Sequence, residues 1–257
     1  MIRCLGYRSD VALLAFHAEI LEKPRYTVIR SPGEPGHYWG NFLLYPAPPG
    51  DLATWEADFK AEFPASRHRA FGWDDPTGAL GNIAPFQDAR YDVVELAVMA
   101  THTPAEVPVP DVLVRPIASD EDWEQVFQLQ VLCEDSGHHP KEAYTHFKRK
   151  QLARYRAMDA AGLGHWWGAF VGPTLVADLC LFANPHGEAR YQSVETHPAY
   201  RRRGICRYLV AEAARRTPAD TYVVIALAHE PAVQVYASAG FDIVENQAGA
   251  AWWPELG

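Results

Sequence analysis

The sequence predicts a mixed α/β protein built from two domains. Its 257 residues exceed the usual size of one small domain. Hydrophobic residues make up 48% of the chain and charged residues 21%, as in ordinary globular proteins. Runs of β-branched and aromatic residues alternate with segments of helical period. A proline-rich segment at 101–112 has neither the helical nor the strand period. We therefore place a boundary near Val109, with domains at 1–108 and 109–257.

The first domain is predicted as a smaller α/β unit. Strands are predicted at 25–32, 37–49, 66–75 and 90–102, and helices at 51–63 and 78–89. The strand segments are β-branched and aromatic runs closed by proline or glycine. The helix at 51–63 has Asp51 as its predicted N-cap and apolar residues at helical spacing.

The second domain carries stronger signals of the same kind. Strands are predicted at 112–118, 165–172, 174–185, 189–197, 221–228 and 241–245, and helices at 119–132, 141–162, 203–216 and 231–240. Ser119 and Asp122 form a capping-box pattern, and Gly162 and Gly240 follow helices, as helix-ending glycines do. A glycine-proline turn joins the second and third strands as a hairpin.

Several function classes are excluded by composition. The N-terminus lacks the apolar core of a signal peptide, and no apolar run approaches the roughly eighteen residues that span a bilayer, which predicts a cytoplasmic protein without membrane contact. The four cysteines have no paired spacing, so neither a zinc site nor a disulfide framework is expected. A formal net charge of −9 argues against nucleic-acid binding.

A local basic cluster stands out in this acidic chain. Residues 201–204 read RRRG, between a predicted strand and a predicted helix. Free amides at a helix N-terminus, together with the helix dipole, attract anions. Gly204 has no Cβ to keep a ligand from the backbone, and arginines add charged contacts to phosphate oxygens. Taken alone, the pattern predicts either a diphosphate site or a solvated helix start.

Two stretches together resemble motifs of the GNAT N-acetyltransferase superfamily. HPAYRRRGICRYLVAEAARR is similar to motif A, with Arg201 and Gly204 on motif positions and Cys206 where a small residue is usual. HEPAVQVYASAGF is similar to motif B, with its alanine, tyrosine, glycine and phenylalanine at Ala232, Tyr236, Gly240 and Phe241. His229 stands where asparagine is common. The resemblance covers residues 112–253 and implies a GNAT fold for the second domain.

The resemblance implies acetyl-CoA, or a related acyl-CoA, as cosubstrate, with no metal. Its expected contacts are Val194, Glu195, Thr196, Arg201, Arg202, Arg203, Gly204, Ile205, Cys206, His229, Ala232 and Tyr236. Among these, the amides of residues 202–206 would hold the pyrophosphate, and the strand edge at 194–196 would pair with the amides of pantetheine.

Amine acylation needs a proton acceptor and a proton donor. By the resemblance, Tyr236 is the acid for the departing thiolate; the competing interpretation is an aromatic that packs the short helix. Glu195 is our candidate base, acting through a water, and a solvated surface carboxylate is the alternative. Strict strand alternation puts Gln192 and Val194 on one face, and Ser193 and Glu195 on the other.

By the resemblance, the acceptor is expected to bind at the loop between the first two helices of this domain. Its polar residues are Glu134, Asp135, His138 and His139, which suit a cationic amine. The adjacent histidines lack the spacing of a zinc site. A polar exposed loop explains the same residues without a function.

The first domain has no such motifs. Its segment 39–64 has the strand-turn-helix order of motif A, but it lacks the arginine-glycine pattern and a following motif B tyrosine. It is either a degenerate GNAT-like copy or an accessory structural domain. The predicted function is N-acetyl transfer from acetyl-CoA to a primary amine, by a monomer or homodimer. The alternative is a GNAT-fold protein that binds CoA, or a regulatory ligand, without catalysis.

Overall fold

Helices and strands alternate along the whole chain. The structure, a computed structural model, describes residues 2–134 and 141–254. The helices are α1 Leu5–Leu14, α2 Leu52–Glu62, α3 Ala84–Asp88, α4 Asp120–Leu132, α5 Lys141–Ala160, α6 Ile205–Arg216 and α7 Ala232–Ser238. The strands are β1 Glu19–Glu22, β2 Thr27–Arg30, β3 Asn41–Tyr45, β4 Arg69–Trp73, β5 Asp92–Thr101, β6 Leu113–Pro116, β7 Gly164–Val171, β8 Thr174–Ala183, β9 Glu188–Thr196, β10 Thr221–Leu227 and β11 Asp242–Trp252.

The chain divides into two compact units. The first contains residues 1–99, 225–230 and 243–257; the second contains 100–224 and 231–242. The division therefore differs from a single boundary after residue 108. The closing segment of the chain joins the first unit because its last strand pairs antiparallel with β4.

In the first unit the strand order is β1-β2-β3-β4-β11-β5. Strands β1, β2 and β3 pair antiparallel, and β3 pairs parallel with β4. Two apolar clusters cover the sheet. Trp55 of α2 and Phe86 of α3 lie in one cluster, and Tyr7 of α1 lies in the other. Helix α1 and strand β1 were not predicted from the sequence, and the helix predicted at 78–89 is only five residues long.

Strand β11 is longer than the predicted strand at 241–245. Its second half, Ala248 to Trp252, pairs with β4 although alanine and glycine are poor strand formers. Packing explains the small residues. The Tyr7 hydroxyl donates to the Ala248 carbonyl at 2.6 Å, and a Cβ on Gly249 would lie 2.6 Å from Trp39. Larger side chains would collide with these aromatic rings.

In the second unit the strand order is β10-β9-β8-β7-β6. Strands β6 to β9 pair antiparallel, and β9 pairs parallel with β10. Successive residues of β7 face opposite sides of the sheet. Trp166 contacts Trp123 of α4 and Tyr155 of α5, whereas Trp167 lies under Arg216 of α6. Helices α4 and α5 therefore cover one face and α6 covers the other.

Several local predictions are confirmed. The Asp51 side chain accepts from the Thr54 amide at the start of α2, and Ser119 with Asp122 forms a capping box on α4. Gly162, with a φ of 76°, follows the last turn of α5. Among the described residues, no helix combines the length and the apolar character that crossing a bilayer requires.

Candidate functional site

A β-bulge interrupts β9 at Ser193. Cys180 of β8 lies opposite Gln192, and Asp178 lies opposite Glu195, so three steps along β9 match two steps along β8. Ser193 takes a positive φ of 52°, which is unusual for a residue other than glycine. The bulge inserts one extra residue into β9 and bends the strand just before it ends.

Beyond the bulge, β9 continues past the end of its register with β10. Its parallel register with β10 covers three pairs and ends at Arg190 opposite Val223, although β9 runs on to Thr196. Residues up to Tyr191 are buried, and those from Gln192 onward are half-buried. On the other side β9 stays paired with β8 as far as Thr196. This segment contains Val194, Glu195 and Thr196. It is the strand edge that was expected to pair with the amides of an extended ligand.

The start of α6 has the chemistry of an anion site. Gly204 is its N-cap, with a φ of 76°, and no side chain caps this end. A Cβ on Gly204 would meet no atom within 4 Å. Ile205, Cys206 and Arg207 form the first turn, whose amides have no carbonyl partner within a helix, and the first helical bond runs from the Tyr208 amide to the Gly204 carbonyl at 3.0 Å. The backbone at this point is open to a ligand.

Three exposed arginines precede this helix start. Arg201 Nε donates to the Thr196 carbonyl at 3.0 Å, and Arg203 Nη2 donates to the Ala199 carbonyl at 2.9 Å. Arg202 takes a positive φ of 62°. Two of the guanidinium groups are therefore tied to the turn between β9 and α6, which places positive charge beside the amides of α6.

Cys206 lies beside Thr196, the last residue of β9. Its thiol is half-buried, and burial raises its pKa to about 11, with an opposing contribution from the Thr196 side chain. A second thiol, Cys133 at the end of α4, donates to the Thr196 carbonyl at 3.5 Å. Both cysteines thus border the last residue of β9.

Tyr236 lies on α7 and is 7% exposed. Its ring packs against Phe241, at a centroid distance of 6.4 Å, and Phe241 in turn packs against Tyr191 of β9. This packing holds α7 against the sheet. Ala232 begins the same short helix, so the structure places both predicted residues on one element, and burial of the ring is compatible with either interpretation of Tyr236.

The bulge corrects one expectation about β9. Opposite residues on antiparallel strands project to the same face, so Gln192 shares a face with Cys180, and Glu195 shares one with Asp178. Cys180 and Asp178 are two residues apart on one strand and face the same way. Gln192 and Glu195 therefore lie on the same face, the one covered by α4, and strict alternation was wrong because it ignored the inserted residue.

Sequence reasoning missed a buried polar network on that face. Gln130 of α4 contacts Asp178, and Lys148 of α5 contacts Gln130. Burial raises the pKa of the Asp178 carboxyl well above its usual range and lowers the pKa of the Lys148 ammonium. The charge of Glu195 adds to the rise in the pKa of Asp178 and opposes the fall in the pKa of Lys148. The sequence does contain a sign of this network. Gln130 and Lys148 stand on the apolar faces of α4 and α5, where polar residues are uncommon.

Of the predicted acceptor residues, the structure describes Glu134, while Asp135, His138 and His139 lie outside the described residues. Burial raises the pKa of Tyr144 on α5, and a hydrogen bond with Glu134 and the charge of Glu195 add to the rise. Glu134 and Glu195 therefore both act on Tyr144. His229 is exposed in a turn that groups with the first unit. Within residues 2–134 and 141–254, no three potential ligand side chains form a metal site.

Comparisons with known proteins agree with this geometry. Residues 123–241 match the model of the acetyltransferase (GNAT) family. A functionally unknown conserved protein from Staphylococcus epidermidis has a similar structure, with a TM-score of 0.71 and 13% identity, covering 90% of this chain and 91% of its own. A GCN5-related N-acetyltransferase from Kribbella flavida has a TM-score of 0.65 at 14% identity, covering 96% of this chain and 95% of its own.

A tandem GNAT protein from the clavulanic acid biosynthesis pathway is similar at a TM-score of 0.53 and 11% identity, covering 86% of this chain and 72% of its own. These identities are low, so the solved structures show the fold alone. No match was found among curated proteins. The bulged strand, the open helix start and the family match coincide in the second unit. Residues 123–241 therefore match the acetyltransferase (GNAT) family model, and the chain has the GNAT fold.

Proposed function

We propose that this protein transfers an acetyl group from acetyl-CoA directly to a primary amine. The observation that carries the proposal is the start of α6, where Gly204 is open to solvent, no side chain caps the helix and three arginines stand alongside. A pyrophosphate is a dianion with oxygens that accept hydrogen bonds from such amides. The amides of residues 202–206 would hold it, and the arginines would contribute charge.

The edge of β9 suits the rest of the cosubstrate. Pantetheine has two amide groups, which can pair with an open strand edge as another strand would. Residues Val194 to Thr196 follow the bulge and precede the turn into α6, so a molecule bound at both places would run along the strand end. The thioester would then lie toward the bulge, near the face that carries Glu195.

The chemical step needs one proton removed and one supplied. The amine nitrogen forms a bond to the thioester carbonyl carbon, and the carbon–sulfur bond breaks. Glu195, through a water, takes the proton that the amine loses, and Tyr236 gives a proton to the departing CoA sulfur. No covalent enzyme intermediate is required, because the two substrates react directly.

The acceptor proposed for this site carries positive charge. Glu134 and Glu195 both influence Tyr144, so two carboxylates lie near one end of α5. A cationic amine gains from such carboxylates before it loses its proton. Asp135, His138 and His139 belong to the same proposed acceptor region by sequence.

For the first unit we propose a degenerate GNAT-like copy that does not bind acyl-CoA. Its strands repeat the pairing pattern of the second unit, with an antiparallel run followed by a parallel pair joined through a helix. The accessory structural domain is the competing assignment.

Thermal shift with acetyl-CoA and CoA tests the binding proposal, since a ligand of the folded state raises the melting temperature by mass action. Release of free thiol with a panel of amines then tests turnover. Binding without thiol release would support the second candidate, a non-catalytic CoA-binding protein, which the departures at Cys206 and His229 favour. Absence of a shift at millimolar ligand would contradict both.

A further inference from the structure

We propose that Gln130 and Lys148 act with Asp178 as a buried clamp that sets the bulge of β9, and that this clamp positions the strand edge used by acyl-CoA. The inference rests on the proposed function, because it concerns how the same site is built. These three residues do not touch the reacting atoms. They are positioning residues, and their effect should appear in acyl-CoA binding.

Gln130 joins the bulge to the neighbouring strand. Its side chain is 2% exposed. Its amide nitrogen donates to Asp178 Oδ1 at 2.9 Å and to the Ser193 carbonyl at 3.0 Å. Both hydrogens of the amide are thereby used, one on β8 and one on the bulge of β9. A single side chain from α4 therefore fixes the relative position of two strands at the point where their register shifts.

Lys148 and Trp166 complete the hydrogen bonding of this clamp. Lys148 Nζ donates to Gln130 Oε1 at 3.2 Å and to Gln151 Oε1 at 2.8 Å. Trp166 Nε1 donates to Asp178 Oδ2 at 3.1 Å. Lys148 is 7% exposed and Asp178 is fully buried. Since Gln130 is the link between them, removing its amide would leave a buried carboxylate oxygen and a buried ammonium hydrogen each short of a partner.

The bulge needs such support because its conformation is intrinsically unfavourable. Ser193 has a φ of 52°, in the left-handed region that is unfavourable for a residue with a Cβ. The hydrogen bond from Gln130 holds the Ser193 carbonyl, and so favours this orientation of the peptide over a regular strand. Without this hydrogen bond, regular pairing would have a lower free energy than the bulge. A return to regular pairing would shift every following residue of β9 by one place.

The clamp affects the proposed ligand site through the register of β9 against β8. Asp178 lies opposite Glu195, immediately after the bulge, and Ala177 lies opposite Thr196. If the bulge were replaced by regular pairing, Glu195 would turn to the other face, and the amides of Val194 and Thr196 would move along the edge. The clamp therefore sets both the strand edge proposed for pantetheine and the face of the proposed base.

The experiment measures the acetyl-CoA dissociation constant of Gln130→Leu by calorimetry, beside the matched control Gln125→Leu. Gln125 is on the same helix and also bonds to β8, accepting from the Leu175 amide at 2.9 Å, but at the distant hairpin end. Both variants should lower the melting temperature. Only Gln130→Leu should weaken acetyl-CoA binding, by about tenfold, as expected for a lost hydrogen bond to a strained backbone.

Two further variants keep the test informative if Gln130→Leu folds poorly. Gln130→Glu keeps an acceptor for Lys148 but has no amide hydrogen for the Ser193 carbonyl, so it should also weaken acetyl-CoA binding. Adding Ser193→Gly to it should restore part of the affinity, because glycine takes a positive φ at little cost. In turnover, the KM for acetyl-CoA should rise more than kcat falls.

The outcomes separate this inference from the proposed function. If the native protein binds acetyl-CoA and Gln130→Leu weakens binding no more than Gln125→Leu does, the clamp is overturned while the proposed function stands. A double variant that binds no more tightly than Gln130→Glu would also contradict a role through the bulge. If the native protein does not bind acetyl-CoA at millimolar concentration, both proposals are overturned together.

Discussion

Two strand-turn-helix segments of this chain have the same architecture and opposite chemistry. In the first unit, β3 leads into α2 and pairs parallel with β4; in the second, β9 leads into α6 and pairs parallel with β10. Each strand also pairs antiparallel with the strand before it. The comparison shows that this architecture alone does not make an anion site.

The two helix starts differ in what satisfies their amides. At α2 the Asp51 carboxylate accepts from the Thr54 amide at 3.1 Å, so a fixed negative charge already occupies the position an anion would take. Its hydrogen bonds with Thr54 lower the pKa of Asp51, which keeps the carboxylate ionised. At α6 the N-cap is Gly204, and no side chain caps the helix. One helix start is closed by the chain and the other is open to a ligand.

The two strands differ in the same sense. All five residues of β3 are buried, and its register with β4 runs to Tyr45 opposite Trp73, the last residue of each strand. Tyr45 also stacks on Trp55 of α2 at a centroid distance of 3.8 Å. By contrast, β9 bulges and leaves its register with β10 at Arg190. Aromatic packing thus covers the end of β3 in the first unit, whereas the end of β9 in the second unit is half-buried.

The largest effect should come from closing the open helix start. Gly204→Glu adds a carboxylate beside the amides and puts a Cβ at a φ of 76°. Like-charge repulsion and backbone strain together should weaken acetyl-CoA binding by about a thousandfold, measured by calorimetry. The matched control is Gly162→Glu, which has the same φ of 76° and equally open surroundings. Equal losses in both variants would mean that strain, not the anion site, is responsible.

Turnover should depend on Tyr236 of α7, the helix that follows the second segment and the next strand. Tyr236→Phe removes the proposed proton donor and should lower kcat by about a hundredfold, with acetyl-CoA affinity nearly unchanged. Tyr222→Phe is a suitable control, because Tyr222 is equally buried, at 7% exposure, and its hydroxyl bonds to two backbone carbonyls. That control should lose stability and keep its kcat. An unchanged kcat in Tyr236→Phe would remove it as the acid.

Mild acid should destabilise the first unit through His68. This ring is 4% exposed, and burial lowers its pKa, so the folded state disfavours the protonated form. The stability it contributes is complete above the unfolded pKa of about 6.5 and declines as the pH falls below it, by at most about 1.4 kcal/mol per pH unit. Urea unfolding at several pH values measures the slope. His68→Gln should flatten it, and an identical slope in that variant would assign the effect to other groups.

The smallest effect should come from opening the closed helix start. Asp51→Ala removes the cap of α2 and should lower the free energy of unfolding by about 1 kcal/mol, measured by urea unfolding. Acetyl-CoA binding should stay as in the native chain, because β3 keeps its pairing and its aromatic cover. A second equivalent of acetyl-CoA bound by Asp51→Ala would show that the cap alone separates the two segments.

Much of the second unit could be predicted because its signals are local. Capping residues such as Ser119, glycines with positive φ such as Gly162 and the motif around Gly204 act within a few residues of themselves. The sequence missed α1, the short β1 and the second half of β11, where the residues have weak propensity of their own. The second half of β11 forms because aromatic residues distant in sequence, Tyr7 and Trp39, pack against it.

By itself, the sequence determined the mixed α/β class and a helix start near Gly204, since these follow from composition, period and spacing, and two of its motifs carried the GNAT resemblance of the second half. Tertiary structure decided the bulge at Ser193, the face of Glu195 and the network of Gln130, Lys148 and Asp178. It also assigned the last strand to the first unit. The physical reason is that an extra residue in one strand, and a hydrogen bond between a helix and that strand, are relations between segments far apart in sequence, which no local pattern records.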